Sequence, residues 1–272
     1  MRTVLQSLNP EAVACVDARL AAIASEHNVT IPLAVESGSR AWGFPSPDSD
    51  YDCRFVFVRP EDDYLSLWQH RDVIETPLEG DLDVNGWDLA KAIRLMARGN
   101  AVIIEWLMSP LVYGGDPQFR EDFLALARHI ADRDAVARHY LHQGERFRDA
   151  CFVAGGEVSC KKAFYALRPA AALRWLRLHE CSVAPMHLPT LMAECNPPAG
   201  LADTVAALIA RKANTAEADK EPLPEAVAQF INDELEAGRN TFEKRAPLPD
   251  IELRMEAETF FRATIQRLNS KE

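Results

Sequence analysis

The sequence predicts an α+β fold: a short mixed sheet with helices over residues 1–115, then an all-helical part over 116–272. Three observations lead there. Strand-like runs, rich in β-branched and aromatic residues, fall at 29–36, 50–58 and 82–87 and nearly vanish afterwards. Helical periodicity dominates everything beyond Gly114-Gly115-Asp116-Pro117. The chain has 272 residues, 48% hydrophobic and 26% charged, enough to bury one large core or two modest ones.

The elements follow in order. Asn9-Pro10-Glu11 supplies a capping side chain, a proline at the first helical position and an acid in the first turn. Val13, Val16, Leu20 and Ile23 then share one face of a helix that ends near His27 and Asn28. Residues 29–36 read as a strand, with Pro32 pointing to an edge position or an early bulge. Ser37-Gly38-Ser39 breaks that strand, and a turn-rich stretch leads to a second strand over 50–58, closed by Pro60. A third strand spans 82–87. A helix over 88–98 places Leu89, Ile93 and Met96 on its apolar face and stops at Gly99, and a shorter helix covers 101–108. Further helices are expected at 118–129, 134–153, 159–180, 190–194, 201–212, 224–242 and 251–268, with Pro169 kinking or restarting the third of these.

Charge and cysteine usage narrow the function classes. A formal net charge of −11 argues against uniform attraction to nucleic acid, although a local basic patch is compatible with it. The six cysteines are scattered and none forms a Cys-x-x-Cys pair, which reads as reduced core cysteines of an intracellular protein. The first 28 residues carry Glu11, Asp17, Arg19 and Glu26 without an apolar core, so a secretory signal is not expected. No apolar run approaches a membrane span, and a cytoplasmic location is the expectation. Walker and Gly-x-Gly-x-x-Gly loops are absent.

Chemistry concentrates in Glu36-Ser-Gly-Ser-Arg-Ala-Trp-Gly-Phe-Pro-Ser-Pro-Asp-Ser-Asp-Tyr-Asp52. Gly38-Ser39, directly after a strand, offers a backbone that a ligand can approach closely, and N–H groups plus a hydroxyl for phosphate oxygens, with Arg40 adding charge. Asp50-Tyr51-Asp52 opens the next strand. Alternation puts the two carboxylates on one face, roughly 6–7 Å apart, where they suit a hard cation such as Mg²⁺ (or Mn²⁺). Tyr51, Cys53, Phe55 and Phe57 face the other way, toward a core.

Gly38-Ser39 followed by Asp50-Tyr51-Asp52 resembles the signature of the DNA polymerase β-type nucleotidyltransferase superfamily. The longer strings Gly38-Ser-Arg-Ala-Trp-Gly-Phe44 and Asp48-Ser-Asp-Tyr-Asp-Cys-Arg54 are similar to a narrower bacterial and phage group associated with RNA repair. So are Asp83-Val-Asn-Gly-Trp-Asp88 and the stretches 100–110 and 161–175. The resemblance implies a minimal nucleotidyltransferase domain followed by a helical domain, with the cleft between them. It implies transfer of a nucleoside monophosphate from an NTP to an acceptor hydroxyl, an RNA end such as tRNA or alternatively a protein. A non-catalytic nucleotide-binding module is a third reading.

The superfamily usually adds a third carboxylate, a metal ligand or base, from a neighbouring strand. Asp83 is favoured because it lies inside the strand-like run. Asp88 reads equally as a helix N-cap, and Asp81 as a solvated strand end. Lys161, Tyr165 and Arg168 share a helical face. They read either as a nucleotide-binding wall, cations on the triphosphate and a ring against a base, or as a basic edge with a half-buried tyrosine. His139, His142 and Glu145 stack on a helix but fit a solvated face better than a metal site. Trp87, Trp106 and Trp175 are expected in the core.

Overall fold

The computed structural model describes residues 1–4, 8–152, 157–214, 220–242 and 250–270, with backbone only at 150–152, 157–160 and 220–222. Helix α1 (Pro10–Glu26) leads into β1 (Thr30–Ser37), a short helical turn α2 (Ser39–Trp42) and β2 (Tyr51–Val58). Next come α3 (Glu61–Tyr64), β3 (Val73–Glu75), β4 (Leu82–Asp88), α4 (Leu89–Met96), α5 (Ala101–Met108) and β5 (Val112–Gly115). The second part holds α6 (Pro117–Ile130), α7 (Arg133–Phe152), β6 (Glu157–Ser159), α8 (Cys160–Leu178), α9 (Leu188–Glu194) and α10 (Leu201–Lys212). β7 (Lys220–Pro222), α11 (Glu225–Thr241) and α12 (Ile251–Asn269) complete it. The fold is α+β, as the sequence predicts. No helix among the described residues is long and apolar enough to cross a membrane.

The sheet is mixed, in the order β3-β4-β2-β1-β5. β2 runs antiparallel to β1 and parallel to β4, while β3 and β5 pair antiparallel at the two edges. The alternation along β2 divides the core. Tyr51, Cys53, Phe55 and Phe57 face α1, joining its Val13, Val16 and Ile23. Val56 and Val58 face the other way, with Leu33 and Val35, onto α4, α5 and α6. That second core continues without interruption into α7, α8 and α11, so both parts of the chain share one apolar interior. Trp106 and Trp175 are buried in it, and Trp87 packs on Trp106 with ring centroids 4.2 Å apart and planes tilted by 37°.

Departures from expectation have local causes. Of the edge position or early bulge expected at Pro32, the second is found: β1 is an interior strand, its register with β2 shifts between Thr30 and Leu33, and this irregularity takes up the missing donor. β5 was not expected, because Gly114-Gly115 is a poor strand former; pairing with β1 supplies the order. The short β3 and the β6–β7 ribbon likewise owe their existence to a partner strand. Helix α8 runs from Cys160 to Leu178 with Pro169 inside it rather than restarting there. Close packing compensates: a Cβ added to Gly144 of α7 would lie 3.3 Å from Pro169 Cβ and 2.6 Å from Leu235 Cδ2 of α11. Val153, the last residue of one expected helix, lies outside the described residues.

The last helix returns to the first part of the chain. Phe260 packs on Phe119 and Phe123, Phe261 meets Tyr64 edge-on at 5.2 Å, and Arg267 pairs with Asp116. Deeper inside, Arg168 of α8 donates to Glu105 of α5 at 2.5 Å, both almost inaccessible. A buried pair of this kind costs much to break from one side and little to replace as a whole. Glu105→Ala is therefore expected to lower unfolding free energy by about 3–5 kcal/mol. The double change Glu105→Leu/Arg168→Met is expected to cost far less, as read by urea denaturation.

Candidate active site

Strand register builds the site. Across β1/β2, Ser37 opposes Asp52; across β2/β4, Asp52 opposes Asp83. Asp52 and Asp83 thus sit side by side on the same face at one end of the sheet. The turn after β1 adds Gly38, which adopts φ 78° and ψ −157°, a backbone region restricted essentially to glycine. A Cβ there would lie 2.1 Å from Asp52 Oδ2. The Asp52 carboxylate therefore lies directly against the bare Gly38 backbone, and the two halves of the sequence motif meet in space. Ser39 opens α2 and is buried, and Trp42 N–H donates to Gly38 O at 2.8 Å.

Asp50 stands one residue before β2 and is exposed. Its negative charge, with that of Asp83, helps push the Asp52 carboxyl up to about 6; burial is the largest cause, and Arg54 and Lys161 oppose it. Arg54 bridges the carboxylates: Nη2 donates to Asp83 Oδ2 at 2.6 Å and to Asp52 Oδ1 at 3.2 Å. Its Nη1 donates to the carbonyls of Cys53 and Asp83 at 3.0 and 2.9 Å. Asn85 Nδ2 holds the other Asp83 oxygen. Among the described residues no three His, Cys, Asp or Glu side chains already converge in a metal-holding group. The donor chemistry nonetheless suits a hard dication: neighbouring carboxylates, of which Asp52 is raised by burial first and by the charges of Asp83 and Asp50 second.

The other two acids considered with Asp83 stand elsewhere. Asp88 is buried, accepts from Ala90 N–H at 2.8 Å as the α4 N-cap, and receives the Tyr64 hydroxyl at 3.0 Å. Asp81 is exposed, and its carbonyl accepts from Tyr51 N–H.

The basic helix face divides. Lys161 acts electrostatically on Asp52, so α8 brings one cation toward the carboxylates. Arg168 departs from the expected triphosphate role: it is 2% exposed, committed to Glu105, with its guanidinium 4.1 Å from the Trp42 ring centroid. Position 168 lies two turns along α8 from Lys161, and there the helix has already entered the core. Tyr165, half-buried, meets Trp42 at 5.2 Å and Phe147 at 5.0 Å, both edge-on, and so packs rather than presenting an open face. Arg40 departs as well. Its Nε and Nη2 donate to the carbonyls of Asp50 and Ser49, and its guanidinium lies 4.0 Å from the Tyr51 ring centroid. It fixes the loop that delivers Asp50.

Three contributors escaped the sequence reading. Arg54 was legible in principle, since alternation puts position 54 on the face of 50 and 52. Glu36 and Tyr113 were not, because both lie in apolar strand surroundings. Glu36 is wholly buried beneath the site; its Oε1 accepts from Asp52 N–H at 2.9 Å, and its other oxygen receives the Tyr113 hydroxyl. Burial raises its carboxyl to about 8, against the pull of those two donors.

Two outcomes follow. Gly38→Ala must force a side chain into Asp52, and is expected to cost about 1–3 kcal/mol in urea denaturation. Glu36 holds its proton in the folded state up to about 8, while in the unfolded chain it titrates near 4.5. Its contribution is thus complete below 4.5 and is lost as pH rises through about 8. In chelator-treated protein, Glu36→Gln should abolish this loss, so that the variant gains on the wild type across that window. A stability difference independent of pH would contradict the assignment.

Residues 14–262 match the model of the RNA repair pathway DNA polymerase beta family. The chain is 40% identical over 215 residues to "Uncharacterized protein YcgL" of Bacillus subtilis (strain 168), covering 79% of this chain and 82% of that protein. The chain belongs to the RNA repair pathway DNA polymerase beta family.

Proposed function

We propose that the protein is a metal-dependent nucleotidyltransferase that moves a nucleoside monophosphate from an NTP to an acceptor hydroxyl, releasing pyrophosphate, and that the acceptor is an RNA end. The observation that carries this reading is the meeting of Gly38, Asp52 and Asp83 across three adjacent strands. Family membership supports the nucleotidyl-transfer class and the link to RNA repair.

In this reading Asp50 and Asp52 hold Mg²⁺ or Mn²⁺, and Asp83 completes the carboxylate set. When bound, the cation supplies charge stabilisation for phosphoryl transfer. The chain's own residues do the rest. The Gly38 backbone admits the triphosphate close to Asp52, because no side chain intervenes. Ser39 lies at the same turn, and Lys161 adds positive charge facing the carboxylates. Asp83, held by Arg54 and Asn85, presents a fixed acceptor toward the incoming hydroxyl. Arg40 and Arg168 act indirectly, by fixing the loop before Asp50 and the Trp42 end of the turn.

The test is label transfer from each α-labelled NTP, with Mg²⁺, to mixed RNA and protein acceptors. Label on RNA that is lost in Asp50→Ala/Asp52→Ala, by at least about 10²-fold given the weight of such electrostatic groups, is the expected result. Label on protein would move the acceptor from RNA to polypeptide, which the acidic net charge of −11 makes a concrete alternative. Equal labelling by wild type and double variant would overturn the site.

A further inference from the structure

The Asp52–Asp83 seat already contains a cation that belongs to the chain. Arg54 emerges from β2 two residues beyond Asp52, on the same face, and its Nη2 reaches both carboxylates at 3.2 and 2.6 Å. Its Nη1 is anchored on two backbone carbonyls of the β2/β4 ladder, so the planar fork has a fixed seat rather than a swinging one. A guanidinium stays charged at every accessible pH. Asn85 takes the remaining Asp83 oxygen, and both oxygens of that carboxylate are already engaged. Asp52 Oδ2, by contrast, turns to the bare Gly38 backbone, with exposed Asp50 beside it.

Two-metal phosphoryl-transfer sites place their ions about 3.5–4 Å apart, bridged by shared carboxylates. Here the group that bridges two carboxylates is Arg54. We propose that Arg54 is a built-in counter-cation seated between Asp52 and Asp83, so that the protein alone takes one divalent cation, on Asp50 and Asp52, and not two. This rests on reading Asp50, Asp52 and Asp83 as the nucleotidyl-transfer site. It separates the carboxylates by role: Asp50 and Asp52 bind the cation, while Asp83 is oriented by the chain's own charge.

The probe is Mn²⁺, with free ion counted by its electron paramagnetic resonance signal as it is titrated into the full-length protein without nucleotide. Wild type is expected to bind one Mn²⁺ per chain, and Arg54→Met two. Arg54→Met/Asp83→Asn should return to one, because the vacated seat then lacks its second carboxylate. Arg54→Gln keeps amide donors for the Cys53 and Asp83 carbonyls and removes only the charge. It should also bind two, and serves if Arg54→Met does not fold by circular dichroism. Two Mn²⁺ on wild type would overturn the proposal, as would a single Mn²⁺ on a folded Arg54→Met or Arg54→Gln. The underlying site reading fails differently: wild type would then bind no more Mn²⁺ than Asp50→Asn/Asp52→Asn.

Discussion

Asp52 occupies the middle of a sheet, on a strand with neighbours on both sides, and carries a charge where charge is expensive. Burial alone pushes its carboxyl upward, and two nearby acids push it further. A half-buried carboxylate in such a place must be paired or relieved. Much of the surrounding structure answers that demand. Arg54 leans across from the same strand, Lys161 contributes from α8, and the missing side chain at Gly38 lets the carboxylate lie against the turn. The helical part is needed for this arrangement to hold. Trp42 and Phe44 from the motif stretch pack on Tyr165 and Phe164 of α8, and Arg168 lies over the Trp42 ring.

The opposite side of the same strands carries a second acid handled by a different route. Glu36 points into the α1 side of the core, with Tyr113 and Cys53 as neighbours, and keeps its proton near neutral pH. A charged Glu36 would place another negative group directly behind Asp52. A neutral one supplies hydrogen bonding to the Asp52 backbone without that penalty. One sheet end thus carries carboxyl groups in two states, ionisable above and proton-bearing below, kept apart by the thickness of a strand.

The legible parts of the sequence were those where local rules and tertiary packing agree. Asn9-Pro10 and Asp88 cap the helices they announce, and the alternation of Tyr51, Cys53, Phe55 and Phe57 sorts the two faces of β2 correctly. The boundary residues of α5 and α10 were likewise readable from Ser109-Pro110 and from the apolar spacing of 201–212. What stayed hidden depends on partners distant in the chain. β5 exists because β1 lies beside it, and α8 passes through Pro169 because α7 and α11 enclose it. In the candidate site, spacing put Asp52 and Asp83 on strands that pair in register. It could not show that Arg40 turns to the loop carbonyls or that Arg168 pairs inward with Glu105, since a helical wheel gives a direction but not what stands there.

The return of α12 to α3, α4 and α6 has a bearing on how the chain is made. Phe119 and Phe123 belong to the segment just after the sheet, yet their cover, Phe260, is synthesised some 140 residues later. During translation the sheet, its carboxylates and the Gly38 turn can all be laid down while this aromatic face still lies open. The order of synthesis therefore puts the α6 face on the chain well before the helix that covers it. Apolar surface left open in this way favours association between incomplete chains, and α12, with its Arg267–Asp116 pair, closes it.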